Sequence, residues 1–353
     1  MKYSSSIGPC APVSAVLMAA LFLLPLAVVV PFRPQLYAQE LLPQETEPSP
    51  PPSGISDNRV IIRVLSEGTI RETDLASYLT GVLRAEMPAS FELEALKAQA
   101  VAARTYTLYK INSGGNHGDA ADICTDPSCC QAWLDEAQAR ENWGGQADSY
   151  EAKLREAVTS TDGQAVLYGG VPILAVFHSS SAGLTQPAAS VWQNSLPYLQ
   201  SVVSPETGDT IPNYYSRAEF SLEALRERIL EACPEAKLTG SGEDWLKNAV
   251  RDTAGTVETL TVGGISMKGS TLRGILGLRS ACFEWDVTGN QFTFYVTGYG
   301  HGVGLSQYGA NQMALDGADY REILTHYYTD VTVDVWLPQN ALQFHPECAK
   351  IKY

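Results

Sequence analysis

Apolar residues run almost without a break from Ala11 to Phe32 (APVSAVLMAALFLLPLAVVVPF), and no residue from Ser4 to Pro31 carries a charge. At about 1.5 Å rise per residue, such a run spans a hydrocarbon core of about 30 Å. Lys2 and the amino terminus place positive charge on the cytoplasmic side, so the pattern predicts a signal-anchor transmembrane helix over 1–33. The rest of the chain is then extracytoplasmic, held at the cell membrane by a single pass. A cleaved export signal is the alternative, with Leu36-Tyr37-Ala38 as a weak cleavage-like site; export follows from either. Residues 34–58 are rich in Pro, Glu and Ser and include the run Pro50 to Pro52. They bury too little apolar surface to offset ordering entropy, which predicts a disordered linker.

From Arg59 the pattern becomes that of a folded unit. Val60 to Leu65 reads as a short strand, closed by the polar turn Ser66-Glu67-Gly68. Thr73 is the expected N-cap of a helix whose Leu75, Tyr78, Leu79, Val82 and Leu83 share one face. Pro88 ends it, and Ser90 is the expected cap of a longer, Ala-rich helix reaching Ile111. A Gly/Cys-rich loop from Ser113 to Cys130 precedes further helix to about Ser160. Beyond it, Gln164 to Tyr168 and Val171 to Phe177 flank Gly169-Gly170 as a hairpin. Ser221 to Ala232 reads as helix, and Val257 to Val262 and Phe292 to Thr297 as strands. A helix pair from Ser306 to Tyr328 leads into a last strand, Val331 to Trp336. Without regular βαβ alternation the fold class is α+β: one globular unit over 59–353, with a second lobe expected at about 216–290.

The 353 residues are 45% apolar and 18% charged, which suits a buried core, and the formal net charge is −15. That balance argues against nucleic acid as a partner, because its phosphates would be repelled.

Several positions carry candidate chemistry. Glu86 continues the apolar stripe of the first helix by one turn, where desolvation and the negative helix end both favour the protonated acid. A raised carboxyl pKa is what a general acid needs near neutral pH. The stretch Phe177 to Gly183 holds His178 and Ser180 but lacks a nucleophile elbow. Gly298 to Gly309 (GYGHGVGLSQYG) is too glycine-dense for a plain turn and suggests a binding surface carrying His301, Gln307 and Tyr308. Six cysteines follow the export segment: Cys124, Cys129, Cys130, Cys233, Cys282 and Cys348. They could form three disulfides, or His117, Cys124, Cys129 and Cys130 could hold a structural zinc as a Cys₃His set. The absence of an H-E-x-x-H sequence argues against a zinc peptidase.

Taken in order, AEMPASFELEALKAQAVAARTYTLYK (Ala85 to Lys110), CQAW (Cys130 to Trp133), VFHSSSAGLT (Val176 to Thr185), LRGILGLRS (Leu272 to Ser280) and GYGHGVGLSQYGANQMALDG (Gly298 to Gly317) resemble the stage II sporulation protein D family, which includes amidase enhancers. The resemblance implies a peptidoglycan lytic transglycosylase that acts in sporulation on glycan strands already stripped of peptides by an amidase. Its partners would be those glycans, the cell-wall amidase and the membrane scaffold of an engulfment complex. The family's catalytic Glu, in its E-M-P-A-S motif, corresponds to Glu86, and its zinc lies near the C-Q motif. This chain has Cys129-Cys130 where the family pattern has His-Cys. Gln99, Arg104, His178, Ser180, His301, Gln307 and Tyr308 are then the expected sugar-binding residues. A non-catalytic, wall-binding enhancer of an amidase is the alternative. A hydrolysing glycosidase would need a second acid, such as Asp119 or Asp209, near Glu86.

Overall fold

A computed structural model of the chain describes residues 56–336, apart from Asn116, Asp119, Gln193 and Thr210. The expected transmembrane segment, most of the linker and Cys348 lie outside the described residues. Among the described residues, no helix is long and apolar enough to cross a membrane.

The first helix, α1, is Leu75–Glu86, and it starts where Asp74 rather than Thr73 caps it, accepting from Ser77 N–H at 2.8 Å. The expected cap is displaced because Thr69–Asp74 is a strand, paired antiparallel with Ile61–Ser66 through a Glu67-Gly68 turn with positive φ at both residues. Leu75, Tyr78, Leu79, Val82 and Leu83 are buried, and Met87 leaves the helix in an extended conformation ahead of Pro88.

The second helix, α2, is Leu93–Asn112, and its cap position is Glu92, not Ser90. From Ala95 to Lys110 it is buried on nearly every side. Its alanines, at 95, 98, 100, 102 and 103, let neighbours approach closely. They include α1, α4 (Ala147–Thr159, which follows α3, Glu136–Trp143) and the strand Gln164–Tyr168. A short helix, α5 (Ala188–Val191), comes next in the chain.

The hairpin at Gly169-Gly170 forms, but Val171 to Phe177 is not one strand. The hairpin ladder ends one bond past Pro172, with Ile173 N–H donating to Val166 O at 3.2 Å, and pairing resumes as Phe177–His178, parallel to Leu305–Ser306. Thr332–Val335 completes the Gln164–Tyr168 sheet on its other side.

A second apolar core draws its buried members from residues 225 to 296. Helices α6 (Leu222–Ala232) and α7 (Gly269–Leu276) belong to it, with two three-stranded antiparallel sheets. In one sheet Gln291–Thr297 lies between Phe283–Thr288 and Tyr215–Ser221; in the other Val257–Val262 is central. The chain then returns to the first core through α8 (Gln307–Leu315) and α9 (Tyr320–Tyr327). The described fold is therefore mixed α+β, with sheets too small and separate for a doubly wound design.

Candidate active site and metal centre

Glu86 is the last residue of α1, half-buried, and its Oε1 accepts the Ala132 backbone N–H at 2.8 Å. The Gln307 side-chain amide hydrogen-bonds the same carboxylate. Burial raises the Glu86 pKa above the usual carboxylate range, against the pull of these two donors. Neither nearby arginine neutralises it. Arg84 pairs with Glu151 at 2.6 Å, and Arg104 is committed elsewhere. Gln307 Nε2 also donates to Gln99 Oε1 at 3.5 Å, so Gln99, Gln307 and Glu86 form one polar cluster on α2, α8 and α1. The Gln99 Nε2 atom is buried and has no partner among the described residues. Tyr308 packs edge-on against Phe91 at 4.9 Å, and its N–H donates to Ser179 O at 3.0 Å.

A second group lies around Val303. His178 Nδ1–H donates to Val303 O at 3.2 Å, while His301 Nδ1 accepts from Val303 N–H at 3.0 Å. The two rings stand 5.6 Å apart, and Trp192 lies 5.4 Å from His301. Burial pushes His178 down to about 4 and His301 down to about 3, and Arg273 adds to both shifts. Both rings are therefore neutral at pH 7, suited to hydrogen bonding rather than proton donation. The close packing explains one glycine of this loop: at Gly300 (φ +118) a Cβ would collide with the His178 side chain.

Two expectations need correction. Arg104 is fully buried, with Nε donating to Asp57 Oδ2 at 2.8 Å and Nη atoms to Gln164 O, Val158 O and Thr161 Oγ1. It staples the chain around Asp57, a residue of the expected linker, to the core and has no donor left for a sugar. Ser180 is also buried, its backbone paired with Tyr299. It lines, with His301 and Cys282, a cavity of about 20 Å³, room for a water rather than a sugar. Of the alternative second acids, Asp209 is exposed, and Asp119 lies outside the described residues.

His117, Cys124, Cys129 and Cys130 converge, their ligand atoms all within 4.8 Å of one another. Cys129 Sγ and Cys130 Sγ are 3.6 and 3.8 Å from His117 Nε2 and 3.7 Å from each other. Tetrahedral zinc, with Zn–S near 2.3 Å and Zn–N near 2.0 Å, requires ligand separations of about 3.5–3.8 Å. The donor set and its spacing fit that ion. Cys124 is placed by its strand, Ile123–Cys124, which runs parallel to Ile61–Ser66. The N–H groups of Cys129 and Cys130 both donate to Asp126 O. Among the described residues no disulfide forms, which removes the disulfide framework as far as the five described cysteines are concerned.

A family profile for stage II sporulation protein matches residues 66–168, a span that holds Glu86 and all four of these ligands. Stage II sporulation protein D of Bacillus amyloliquefaciens is 34% identical over 292 residues, covering 82% of this chain and 83% of the relative. That of Bacillus subtilis (strain 168) is 34% identical over 327 residues, covering 89% and 92%. The chain belongs to the stage II sporulation protein D family. A protein of B. subtilis (strain 168) named amidase enhancer is 29% identical over 302 residues, covering 72% of this chain and 40% of that protein.

Three features of this family member were not apparent from its motifs. The Ala132 N–H reaches Glu86 across 46 residues, and a backbone donor leaves no mark in residue type. Trp133 lies on Gly81 of α1, where a Cβ would collide with its indole. Glu206, in an unremarked loop, is a buried carboxylate bonded to Ser181 and Ser306. For Trp133 the signal was its place in Cys130-Gln131-Ala132-Trp133; the Ala132 N–H and Glu206 had none.

Proposed function

We propose that this protein is an exported lytic transglycosylase that cleaves amidase-stripped peptidoglycan glycans during septal wall remodelling and engulfment in sporulation. The observation that carries the reading is Glu86: one half-buried carboxyl with a raised pKa, two donors and, among the described residues, no cation paired with it. Protonated Glu86 donates to the glycosidic oxygen as the bond breaks through an oxocarbenium-like state. As carboxylate, steadied by Ala132 N–H and Gln307, it takes the proton from the muramoyl 6-hydroxyl. That oxygen closes on the anomeric carbon, leaving a 1,6-anhydro end and restoring the acid. No water is consumed, so one carboxyl serves both steps. The half-buried His301, neutral at pH 7, and Tyr308 supply hydrogen bonds for sugar hydroxyls and acetamido groups, while the buried Gln99 and His178 hold the surrounding segments in place.

His117, Cys124, Cys129 and Cys130 would hold a zinc ion that fixes the loop carrying Ala132, with all four positions filled by protein. The apolar run at the N-terminus anchors the enzyme in the cell membrane with its folded part outside, within reach of the wall, the amidase and a membrane scaffold of the engulfment complex.

The test is digestion of amidase-stripped wall with the full-length protein, followed by mass spectrometry of the ends. Anhydro-ended sugars are expected, and Glu86→Gln should reduce them by about 10²–10⁴-fold. Reducing ends, or full cutting by the variant, would refute the reading. The similarity to a protein named amidase enhancer favours a second reading, a wall-binding partner of an amidase. Its signature is faster amidase turnover with no glycan cleavage.

A further inference from the structure

Glu206 lies in the irregular segment between α5 and the strand Tyr215–Ser221 and is 3% exposed. Its Oε1 accepts three hydrogen bonds: from Ser181 N–H at 2.7 Å, Ser181 Oγ at 2.8 Å and Ser306 Oγ at 2.5 Å. Ser306 is the N-cap of α8 and accepts from Gly309 N–H, and Gln307 is the helix's first residue. One buried carboxylate therefore clasps the two segments that flank the site, 177–181 and 301–309. It also sets an acceptor oxygen beside the N-cap of α8, where it holds the hydroxyl that caps the helix start.

The clasp is tightly packed. A Cβ at Gly309 would collide with Tyr327 Oη, Ser204 Oγ and Glu206 Oε2, and Ser204 and Tyr327 are themselves bonded at 2.6 Å. Only glycine lets the first turn of α8 seat this deeply, which fixes where Gln307 projects. Among the described residues, Tyr214 and Tyr327 lie near Glu206, and burial holds both protonated. Tyr78, likewise protonated, lies beside Glu86.

We propose that Glu206 is a positioning residue: through Ser306 it sets the start of α8 so that the Gln307 amide meets Glu86. It touches no substrate in this account, and the inference rests on the reading of Glu86 as the acid. A merely structural Glu206 would affect stability and leave Glu86 as it is, whereas a positioning Glu206 controls one of the two donors that favour the Glu86 carboxylate.

The experiment follows the Glu86 carboxyl by ¹³C NMR titration in the full-length protein, with the resonance assigned from Glu86→Gln. Glu206→Ala should raise the Glu86 midpoint by most of the shift produced by Gln307→Ala, and the double variant should add nothing further. Glu206→Gln keeps an acceptor oxygen for Ser306 and should leave the midpoint close to that of the parent. An unchanged midpoint in a folded Glu206→Ala protein overturns the proposal, as does a shift that adds fully to that of Gln307→Ala. If Glu206→Ala does not fold, Glu206→Leu carries the same comparison, since it fills the volume, removes the acceptor for Ser306 and leaves the Ser306 cap on Gly309 N–H in place. The midpoint is read without substrate, so a failure to cut glycan leaves this result standing by itself.

Discussion

The Ala132 N–H donates to Glu86 Oε1 at 2.8 Å, and Ala132 stands two residues after Cys130 of the His/Cys cluster. The loop is further tied to α2 by Gln131 Nε2 donating to Thr107 Oγ1 at 3.0 Å. A metal held by that cluster would order this loop and so act on the proposed acid through a backbone donor, at a distance from the reacting atoms. Elemental analysis should find one zinc per chain in the parent and none in Cys130→Ser. Chelation should loosen the Ala132 donor, and a hydrogen bond to a charged group contributes about 1.5–3 kcal/mol. The expected result is a roughly tenfold to hundredfold fall in glycan cleavage with a lower melting temperature, both restored by zinc. The sign for pH is also fixed. On the proposed mechanism Glu86 works from its protonated form, so cleavage should fall as pH rises through its raised pKa. Losing a donor that favours the carboxylate moves that limb higher.

Arg104 makes a contrasting prediction, because its whole guanidinium is used inside the fold. Arg104→Met leaves Asp57 buried without its cation, a change that costs about 3–5 kcal/mol. Denaturant unfolding should show that loss. Cleavage by the fraction that remains folded should have an unaltered KM, whereas a sugar-binding arginine would show the reverse pattern.

These two residues illustrate what the chain discloses and what it conceals. The stripe Leu75, Tyr78, Leu79, Val82, Leu83 is periodic, so α1 and the inward position of Glu86 follow from local order alone. Likewise, His117 and the three cysteines are close in sequence and meet with little long-range help. Arg104 misleads because its partner, Asp57, is 47 residues away in a stretch whose composition reads as linker. Thr73 misleads because a strand ending at Asp74 takes precedence over its capping preference. Glu206 and the Ala132 N–H exist as functional groups only once distant segments are packed together, and periodicity carries no information about that.

The histidines give a pH prediction for stability. His178 has a folded pKa lowered to about 4, below its unfolded value of about 6.5. The unfolded chain therefore binds more protons as pH falls, so stability is full above about 6.5 and declines towards 4. For His178 alone the loss at pH 4 is about 3 kcal/mol. Denaturation midpoints measured from pH 7 to pH 4 should fall steeply in the parent. In His178→Gln the slope should be visibly flatter, and an identical slope would count against a neutral, buried imidazole.

Gly81 connects the metal loop to the helix that carries Glu86. Trp133 lies where a side chain at 81 would project, and the Leu134 N–H donates to Gly81 O at 3.0 Å, so the loop rests directly on α1. The backbone at Gly81 is ordinary helix, so Gly81→Ala brings no conformational strain and should gain helix propensity of up to about 1 kcal/mol. Its methyl instead meets the indole, and overpacking of this kind costs about 1–3 kcal/mol. The net effect expected is a lower melting temperature with a larger loss of cleavage, because displacing Trp133 moves the adjacent Ala132 away from Glu86. Trimming the obstruction in Gly81→Ala/Trp133→Leu should recover stability but not cleavage, since the smaller side chain no longer fixes the loop. A single Gly81→Ala variant with parental stability and full activity would mean that the loop adjusts freely on α1, and that Trp133 does not set the Ala132 donor.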